Sequence, residues 1–377
     1  MEVRLPLVTV GLNFRGGFSQ CKLDGTLEQL CQQQHQCTLL AGLPVEILQR
    51  IFGKYVQDIR VLLNFRATCK AGNSLSIKIF SDWSFVSCTD VALIRVATIW
   101  CTSLHELELN GDIVTEANLF AIARGCPGLK SFKSSAPNPK TSSQALGAFF
   151  SALSSFESIE ISKSETLDNW VLSRIAQNSR NLRRVAVTEN SNIGYEGLAD
   201  IAMKCFTTLR EVDLSWCCNL SKDSIFVFLK NEPFNSQSNL THLALNGCSV
   251  VDDELCMRIS NFCPHLVRLE ISDCLRVTEH GILCFAKSSE SMRVLRCSGC
   301  INIQHVGFAV LFSLNIRLVE LYADRCPFLS DICFLSLGNV VNNHLRVLDV
   351  SSTSISSIGV RAIYKVFQNL KTFSCKN

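Results

Sequence analysis

The hydrophobic positions of this chain follow a phrase that recurs along most of its length. The phrase reads L-x-x-L-x-L-x-x-C and is clearest in the copies that begin at Leu240 and Leu266. Apolar residues at every second position predict a β-strand with one buried and one solvated face. Ser, Asn or Gly then turn the chain, and a helical spacing follows, with Thr115 and Thr278 placed as N-caps. Each repeat therefore predicts one strand and one helix.

Eleven copies open at steps of 25 to 31 residues, at Leu104, Leu129, Phe156, Leu182, Leu209, Leu240, Leu266, Met292, Leu318, Leu345 and Leu370. Most of these steps lie within the 20–29 residue range of leucine-rich repeats. We therefore predict an α/β solenoid, a leucine-rich-repeat horseshoe with parallel strands inside and helices outside. A degenerate first copy at Phe80–Cys88 raises the number of repeats to about twelve, and the last is incomplete. The repeats thus occupy residues 80–377.

Two segments depart from the repeat. Residues 134–143 contain two prolines, and Ser134 stands where an apolar residue is expected. The repeat that opens at Leu209 is the long one, with about five extra residues near 230–239. Both segments are predicted to be loops, read either as tolerated insertions or as recognition loops.

Composition limits the class of protein. Net charge is +3 with 18% charged residues, which argues against a nucleic-acid partner. No apolar run reaches the 18 residues of a membrane span, so no membrane partner is predicted. Residues 1–38 lack the apolar core of a signal peptide and are predicted to be a disordered leader. The 20 cysteines lie at repeated positions such as Cys248 and Cys274, which predicts buried free thiols in a reducing cytoplasm or nucleus.

No motif for catalysis or metal binding emerges. Cys297 and Cys300 form a C-x-x-C pair, but Cys297 occupies a buried strand position and no second pair lies at a plausible spacing. Cys217 is likewise read as buried, with Cys218 in the turn after the strand. No Ser/His/Asp arrangement or phosphate-binding loop is present. We therefore predict no catalytic residue, no metal and no cofactor.

The polar positions within each strand phrase should form a binding surface on the concave face. Acidic residues outnumber basic ones there, which favours a partner bearing Lys or Arg. Trp216 and Tyr322 are of the aromatic type enriched at binding hot spots. The alternative is a solvated strand face with incidental charge. The predicted substrate-binding residues are Glu108, Glu160, Asp213, Trp216, His242, Glu270, Arg296, Tyr322 and Asp349.

Residues 39–79 have a different pattern, which predicts three short helices. Leu43-Pro44 opens the first, with Ile47, Leu48 and Ile51 on one face. This stretch resembles the opening of an F-box, and the stretch from Leu62-Leu63 to Lys70 resembles its second half. An F-box followed directly by cysteine-containing repeats is similar to the F-box and leucine-rich-repeat family. Gly72 departs from the bulky residue that many F-boxes carry.

The resemblance implies a non-catalytic substrate receptor of an SCF-type ubiquitin ligase. The F-box would bind a Skp-type adaptor and, through it, the cullin and RING subunits, while the repeats bind a protein substrate for degradation. The adaptor-facing residues would be Leu43, Pro44, Ile47, Leu48, Ile51, Leu62 and Leu63. Two alternatives stay open: an interaction scaffold that recruits no cullin, and an inhibitor-like repeat protein in which residues 39–79 only cap the solenoid.

Overall fold

The computed structural model describes most of the chain from residue 104 onward. The described residues are 85–88, 104–111, 114–137, 140–231, 236–288, 291–314, 317–338, 342 and 344–376. All belong to one compact unit, Phe80–Asn377. The predicted leader (1–38), the predicted F-box (39–79) and its seven adaptor-facing residues lie outside the described residues.

Twelve strands form one parallel sheet in the order of the sequence. A two-residue pair of strands, β7 and β8, is the only interruption of that order in the described part of the chain. The strands of the sheet are β1 Phe85–Cys88, β2 Glu106–Asn110, β3 Ser131–Ser135, β4 Ser158–Ser162, β5 Arg184–Thr188, β6 Glu211–Asp213, β9 His242–Ala244, β10 Arg268–Glu270, β11 Val294–Arg296, β12 Glu320–Tyr322, β13 Val347–Asp349 and β14 Thr372–Ser374. The predicted leucine-rich-repeat horseshoe is therefore confirmed.

A helix follows each of the ten strands of the large sheet from β2 to β13, the pair β7 and β8 excepted. Among the described residues these are α1 Glu116–Gly125, α2 Ser143–Ala152, α3 Asn169–Asn178, α4 Tyr195–Cys205, α5 Lys222–Leu229, α6 Asp253–Phe262, α7 Glu279–Ser288, α8 His305–Leu314, α9 Asp331–Leu335 and α10 Ser357–Val366. Thr115 caps α1 as predicted, its side chain accepting the Asn118 amide.

Helix starts are also linked from one repeat to the next. The Asp253 carboxylate at the start of α6 accepts the amides of Thr278 (2.8 Å) and Gly281 (3.1 Å) at the start of α7. The Asp331 carboxylate at the start of α9 accepts the Ser356 amide before α10 in the same way. These bonds satisfy amides that a helix leaves unpaired at its first turn, so they fix the stacking of adjacent helices.

The core lies between the sheet and the helices. Leu243, Leu245, Leu269 and Ile271, the apolar residues of two strand phrases, are at most 1% exposed. In the amino-terminal repeats the core is aromatic instead. There the rings of Phe132, Phe149, Phe150 and Phe156 pack with centroids 5.1 to 6.0 Å apart.

The repeated cysteines form a ladder of buried thiols. The Sγ atoms of Cys217, Cys248 and Cys274 contact the carbonyl oxygens of Val187 (3.0 Å), Leu214 (3.2 Å) and Leu245 (3.2 Å) in the preceding repeat. Cys300 and Cys326 make the same contact further along the chain. A thiol is a weak donor, and here it satisfies a carbonyl at the end of the neighbouring strand. In the two repeats before Cys217 this position holds Asn190 and Ser164.

Three predictions need correction. Ser134 was expected to lie in a loop, but β3 runs through Ser135, and Ser134 is buried with an unpaired hydroxyl oxygen. Ser134 is part of a strand because β2 and β4 both pair with β3 along its whole length. The long repeat does not simply add a loop: Lys230–Asn231 and Ser236–Gln237 pair as the antiparallel strands β7 and β8.

The third correction concerns the degenerate first repeat. The predicted phrase from Phe80 would place Asp82 opposite Glu106, whereas Phe85 occupies that position. In the predicted register, Trp83 and Phe85 lie opposite Leu107 and Leu109. In the observed register, Val86 and Cys88 take those places. Both pairs are apolar, so alternation alone cannot decide between them.

No helix in the described ranges is long and apolar enough to cross a membrane.

Candidate protein-binding face

Eight of the nine predicted substrate-binding residues lie on strands, on the sheet face opposite the apolar core. We call this surface the open face; it is the concave face of the horseshoe. Parallel pairing aligns the fifth residue of every phrase into one line across the sheet, the central row, with neighbours about 4.8 Å apart. It runs Glu108, Lys133, Glu160, Ala186, Asp213, Ala244, Glu270, Arg296, Tyr322, Asp349.

His242 belongs to a second line formed by the third residue of each phrase. It lies between Glu211 and Arg268 in the pairing register. Its Nδ1 is 3.9 Å from a Glu211 oxygen and 2.9 Å from the hydroxyl of Thr241. The register therefore places His242 beside the central row rather than in it.

Basic and acidic residues alternate along the amino-terminal half of the open face. The Lys133 Nζ lies 3.1 Å from a Glu160 oxygen and 3.8 Å from a Glu108 oxygen. The Arg184 guanidinium contacts Glu211 at 2.5 Å and Glu160 at 3.4 Å. The Glu160 hydrogen bond chiefly, and the charges of Glu160 and Glu108, hold the pKa of the Lys133 ammonium above its ordinary value.

The same pairing continues around Glu270. The guanidinium groups of Arg268 and Arg296 lie 3.4 and 3.5 Å from the same Glu270 oxygen. Arg296 also stacks over the Tyr322 ring at 4.0 Å, and the Tyr322 hydroxyl donates to Glu320 at 3.2 Å. The expected acidic field is therefore largely neutralised where bases and acids alternate.

Four carboxylates of the open face have no basic side chain within 4 Å in the part of the chain that the structure describes: Glu106, Asp213, Glu320 and Asp349. Glu106 is exposed, whereas Asp213, Glu320 and Asp349 are half-buried. Burial raises the pKa of the Asp213 carboxyl group, against the lowering effect of hydrogen bonds from Ser215. One of its oxygens, Oδ1, accepts the Ser215 amide at 3.0 Å.

Asp213 lies at a hollow in the open face. Its two neighbours in the central row are Ala186 and Ala244, whereas most other positions of that row hold long side chains. The missing side-chain volume leaves a cavity of about 360 Å³. We call it the Asp213 hollow. Its lining is Arg184, Val185, Glu211, Val212, Asp213, His242, Leu243, Ala244, Arg268 and Glu270.

Trp216 lies beyond the strand, in the turn, rather than in the central row. The turn residue at this place of successive repeats has positive φ, as in Glu189 (55°), Trp216 (62°), Asp273 (57°) and Arg325 (58°). Each of their amides bonds to a carbonyl of the next repeat; that of Trp216 donates to Asn246 at 2.7 Å. This backbone conformation turns the chain out of the sheet and fixes where each of these side chains begins.

The Trp216 indole lies against Gly247 of the next repeat and is 51% exposed. A Cβ added at Gly247 would lie 2.2 Å from the indole Cε3 atom, and Gly247 itself has a φ of 66°. Glycine is therefore required there for two reasons: the backbone is left-handed, and a side chain would collide with the indole ring. Trp216 was predicted as a binding residue and Gly247 was not, although a glycine at the turn position of a repeat is a readable signal.

An ion pair between Asp273 and Arg325 was also missed. The Arg325 guanidinium donates to both Asp273 carboxylate oxygens, at 3.0 and 3.3 Å, across the intervening repeat. It passes over Gly299, where an added Cβ would lie 2.1 Å from an Asp273 oxygen. No local pattern predicts this pair, because the two residues are separated by a complete repeat.

The buried cysteine thiols of these repeats have little nucleophilic reactivity. Burial raises the pKa of Cys248 to about 11 and those of Cys217 and Cys274 to about 12. A thiol with such a pKa is a poor nucleophile at neutral pH. Cys297 and Cys300 are both fully buried, as predicted, and Cys218 is exposed in the turn. Within the described ranges, no three His, Cys, Asp or Glu side chains converge as a metal site would require.

Comparison with known proteins agrees with the repeat architecture. A family model described as leucine-rich repeat matches residues 341–363. A chain in the crystal structure of the yeast Rad7 and Elc1 complex superimposes with a TM-score of 0.56 at 16% identity, covering 88% of this chain and 90% of that one. A second solved structure, the mouse RP105/MD-1 complex, has a TM-score of 0.49 at 13% identity and covers 77% of this chain and 46% of that one. The twelve-stranded parallel sheet and the likeness to the yeast chain define the class of protein as a leucine-rich-repeat solenoid.

A curated relative adds similarity in sequence. The BTB/POZ domain-containing protein FBL11 of Arabidopsis thaliana is 24% identical over 322 residues, which is 74% of this chain. The chain spans 34% of the length of that relative.

Proposed function

We propose that the chain is a non-catalytic substrate-recognition subunit of an SCF-type ubiquitin ligase. Residues 39–79 bind a Skp-type adaptor, and the adaptor links the chain to a cullin and its RING subunit. The open face of the repeats binds the protein substrate. The chain acts in the cytoplasm or nucleus, and the bound substrate is ubiquitinated and then degraded.

The open face is the observation that carries this proposal. It is an uninterrupted parallel sheet with an exposed tryptophan, a hollow and carboxylates that lack a basic partner in the described residues, features that a purely structural face does not need. The F-box-like motif from Leu43 to Ile51 precedes it directly. The chain is similar in fold to a chain of the yeast Rad7 and Elc1 complex, in which two proteins are bound to each other. This similarity supports a binding role.

The mechanism is positioning rather than chemistry. A receptor that holds its substrate beside a conjugating enzyme converts an encounter in solution into an intramolecular one, which raises the effective concentration of the substrate lysine. The stacked repeats suit this role because each one is fixed by backbone bonds to its neighbour, as at Trp216 and Asn246. A stiff stack of repeats keeps the substrate-binding residues of the open face in a constant arrangement.

Affinity purification of the tagged full-length chain from cells tests the proposal. We expect the adaptor and the cullin to co-purify with the wild type and to be lost from the double variant Ile47→Asp, Leu48→Asp, since two charges on an apolar helix face abolish its docking. Gln49→Asp is the matched control, because it adds a charge at an adjacent polar position of the same predicted helix. Adaptor without cullin would indicate the scaffold, and neither protein would indicate the inhibitor-like repeat protein.

A further inference from the structure

The Asp213 hollow is a place on the open face where a partner's side chain can enter the sheet surface. On either side the central row is filled by long side chains, Glu160 before Ala186 and Glu270 after Ala244. The hollow itself measures about 360 Å³, the lower end of the range for ligand pockets. That volume fits one long side chain of a partner rather than a large cofactor.

The electrostatics of the hollow favour a cation. Its two arginines are already paired: Arg184 with Glu211 and Glu160, and Arg268 with Glu270. Glu270 is contacted by Arg296 as well. Asp213 is the carboxylate of the lining with no basic side chain within 4 Å in the described part of the chain. A half-buried carboxylate without a counter-ion is costly, and an incoming cation removes that cost.

The hydrogen bonds of Asp213 narrow the choice of cation. Oδ1 accepts the Ser215 amide, and the Ser215 hydroxyl also donates to the carboxylate, so the two oxygens are not both free for a ligand. An arginine fork binds a carboxylate best through both oxygens, whereas a lysine ammonium is a point charge that one oxygen can hold. The stem of a lysine can lie along apolar surface, which Ala244 supplies. Val185, Val212 and Leu243 have their side chains in the core and line the hollow with their backbone.

We propose that the Asp213 hollow binds a single lysine side chain of the protein partner, with the ammonium on Asp213 and the alkyl stem against Ala244. This inference rests on the proposed function, since it takes the open face as the surface that binds the substrate. The lysine held here is shielded and serves recognition, so the lysine that receives ubiquitin lies elsewhere on the substrate. Trp216, three residues after Asp213, offers flat apolar surface to the chain that flanks the lysine.

Selection of random linear peptides displayed on phage, against the immobilised full-length chain, tests the proposal. We expect the enriched peptides to share a lysine at one position. Replacing that lysine by Gln should weaken binding of a selected peptide about 10-fold or more, and replacing it by Arg should weaken binding less. The measurement is the Kd of the labelled synthetic peptide by fluorescence anisotropy.

Variants of the chain locate the site. Asp213→Asn removes the charge with little change in shape, and Ala244→Leu fills the hollow without adding charge; each should weaken binding about 10-fold or more. Asp223→Asn is the matched control, because it makes the same change at an exposed aspartate of helix α5, away from the open face. It should leave the Kd within about 2-fold. Unfolding curves of all three variants exclude loss of the fold as the cause.

Several results would overturn the proposal: no enriched peptide, enriched peptides without a shared lysine, or equal effects of Asp213→Asn and Asp223→Asn. Adaptor co-purification, measured on the same variants, separates this inference from the proposed function. Adaptor binding without lysine selection refutes the hollow and leaves the function intact. Lysine selection by Asp213 without adaptor binding refutes the function and leaves the hollow intact.

Discussion

The amino-terminal and middle parts of the open face are built from the same repeat but differ in three ways. Strands β2 to β5 have five residues each, whereas β6, β9 and β10 have three. The charges of the first part are paired across strands, as in Glu108, Lys133 and Glu160, whereas Asp213 in the middle part is flanked by alanines. The core beneath is aromatic in the first part and lined by thiols in the second.

This difference shows that the same position of the repeat, the fifth residue of the phrase, can serve stability in one repeat and binding in another. A cross-strand pair of exposed opposite charges adds up to about 1 kcal/mol to the free energy of unfolding. A half-buried carboxylate between two alanines costs stability instead, so it is expected where function requires it. The middle part of the face is accordingly where we place recognition.

The largest expected effect concerns the two cores. Phe150→Ala should lower the free energy of unfolding by about 3–5 kcal/mol, because the ring is fully buried among three others and its loss leaves a cavity. Cys248→Ala should cost about 1–2 kcal/mol, since it removes one small group and one weak hydrogen bond. Urea denaturation followed by circular dichroism measures both. Equal losses would show that the thiol ladder is as important as the aromatic cluster.

The next effect tests the contact of Trp216 with Gly247. Gly247→Ala should lower the free energy of unfolding by about 1–3 kcal/mol, because the added methyl group meets the indole and the φ is left-handed. Gly338→Ala is the matched control: its φ is 58° and a Cβ there meets nothing within 4 Å. It should cost about 1 kcal/mol from the backbone alone. Trp216 fluorescence should shift in the first variant only; the same loss in both would mean that the ring is not held by Gly247.

Charge substitutions should act in opposite directions in the two parts of the face. Lys133→Gln should lower the free energy of unfolding by less than about 1 kcal/mol, since it removes the exposed cation that lies between Glu108 and Glu160. Asp213→Asn should raise it at pH 7, because the charge it removes is desolvated.

The pH dependence follows from the raised pKa of Asp213. A carboxyl group whose pKa is higher in the folded chain binds its proton more tightly there. It therefore stabilises the fold below its unfolded pKa, and that contribution is lost as the pH rises through the folded pKa. Between pH 4 and pH 7 the gain from Asp213→Asn over wild type should grow with pH in thermal melts. A gain that shrinks with rising pH would contradict the burial of this carboxylate.

The smallest perturbation is thiol labelling of the native chain, which changes no residue. Cys218 should react with iodoacetamide at the rate of an exposed thiol at pH 8. The ladder thiols should react far more slowly, because burial raises their pKa, to about 12 for Cys217. Mass spectrometry after a time course reads each site. Rapid labelling of Cys217 or Cys248 in the folded chain would place the ladder at the surface.

Much of this architecture could be read from local pattern. The alternation of apolar residues in phrases such as that of Leu240 predicted the strands, and the period predicted their stacking, because a strand can bury only one face and each repeat must cover the next. The same alternation put Glu108, Glu160, Asp213 and Glu270 on the open face. It failed at Phe80–Cys88, where two apolar registers compete, and at Ser134, where the neighbouring strands override a polar residue in the core.

By itself, then, the sequence determined the solenoid, the buried thiols and the set of side chains that reach the open face, since all of these follow from spacing within one repeat. Only the tertiary structure decided how those side chains interact. Pairing between strands a whole repeat apart matched Lys133 with two glutamates, left Asp213 between two alanines, laid Trp216 on Gly247 and joined Asp273 to Arg325. These contacts depend on register and on the backbone at each turn, so they exist only once the repeats are stacked.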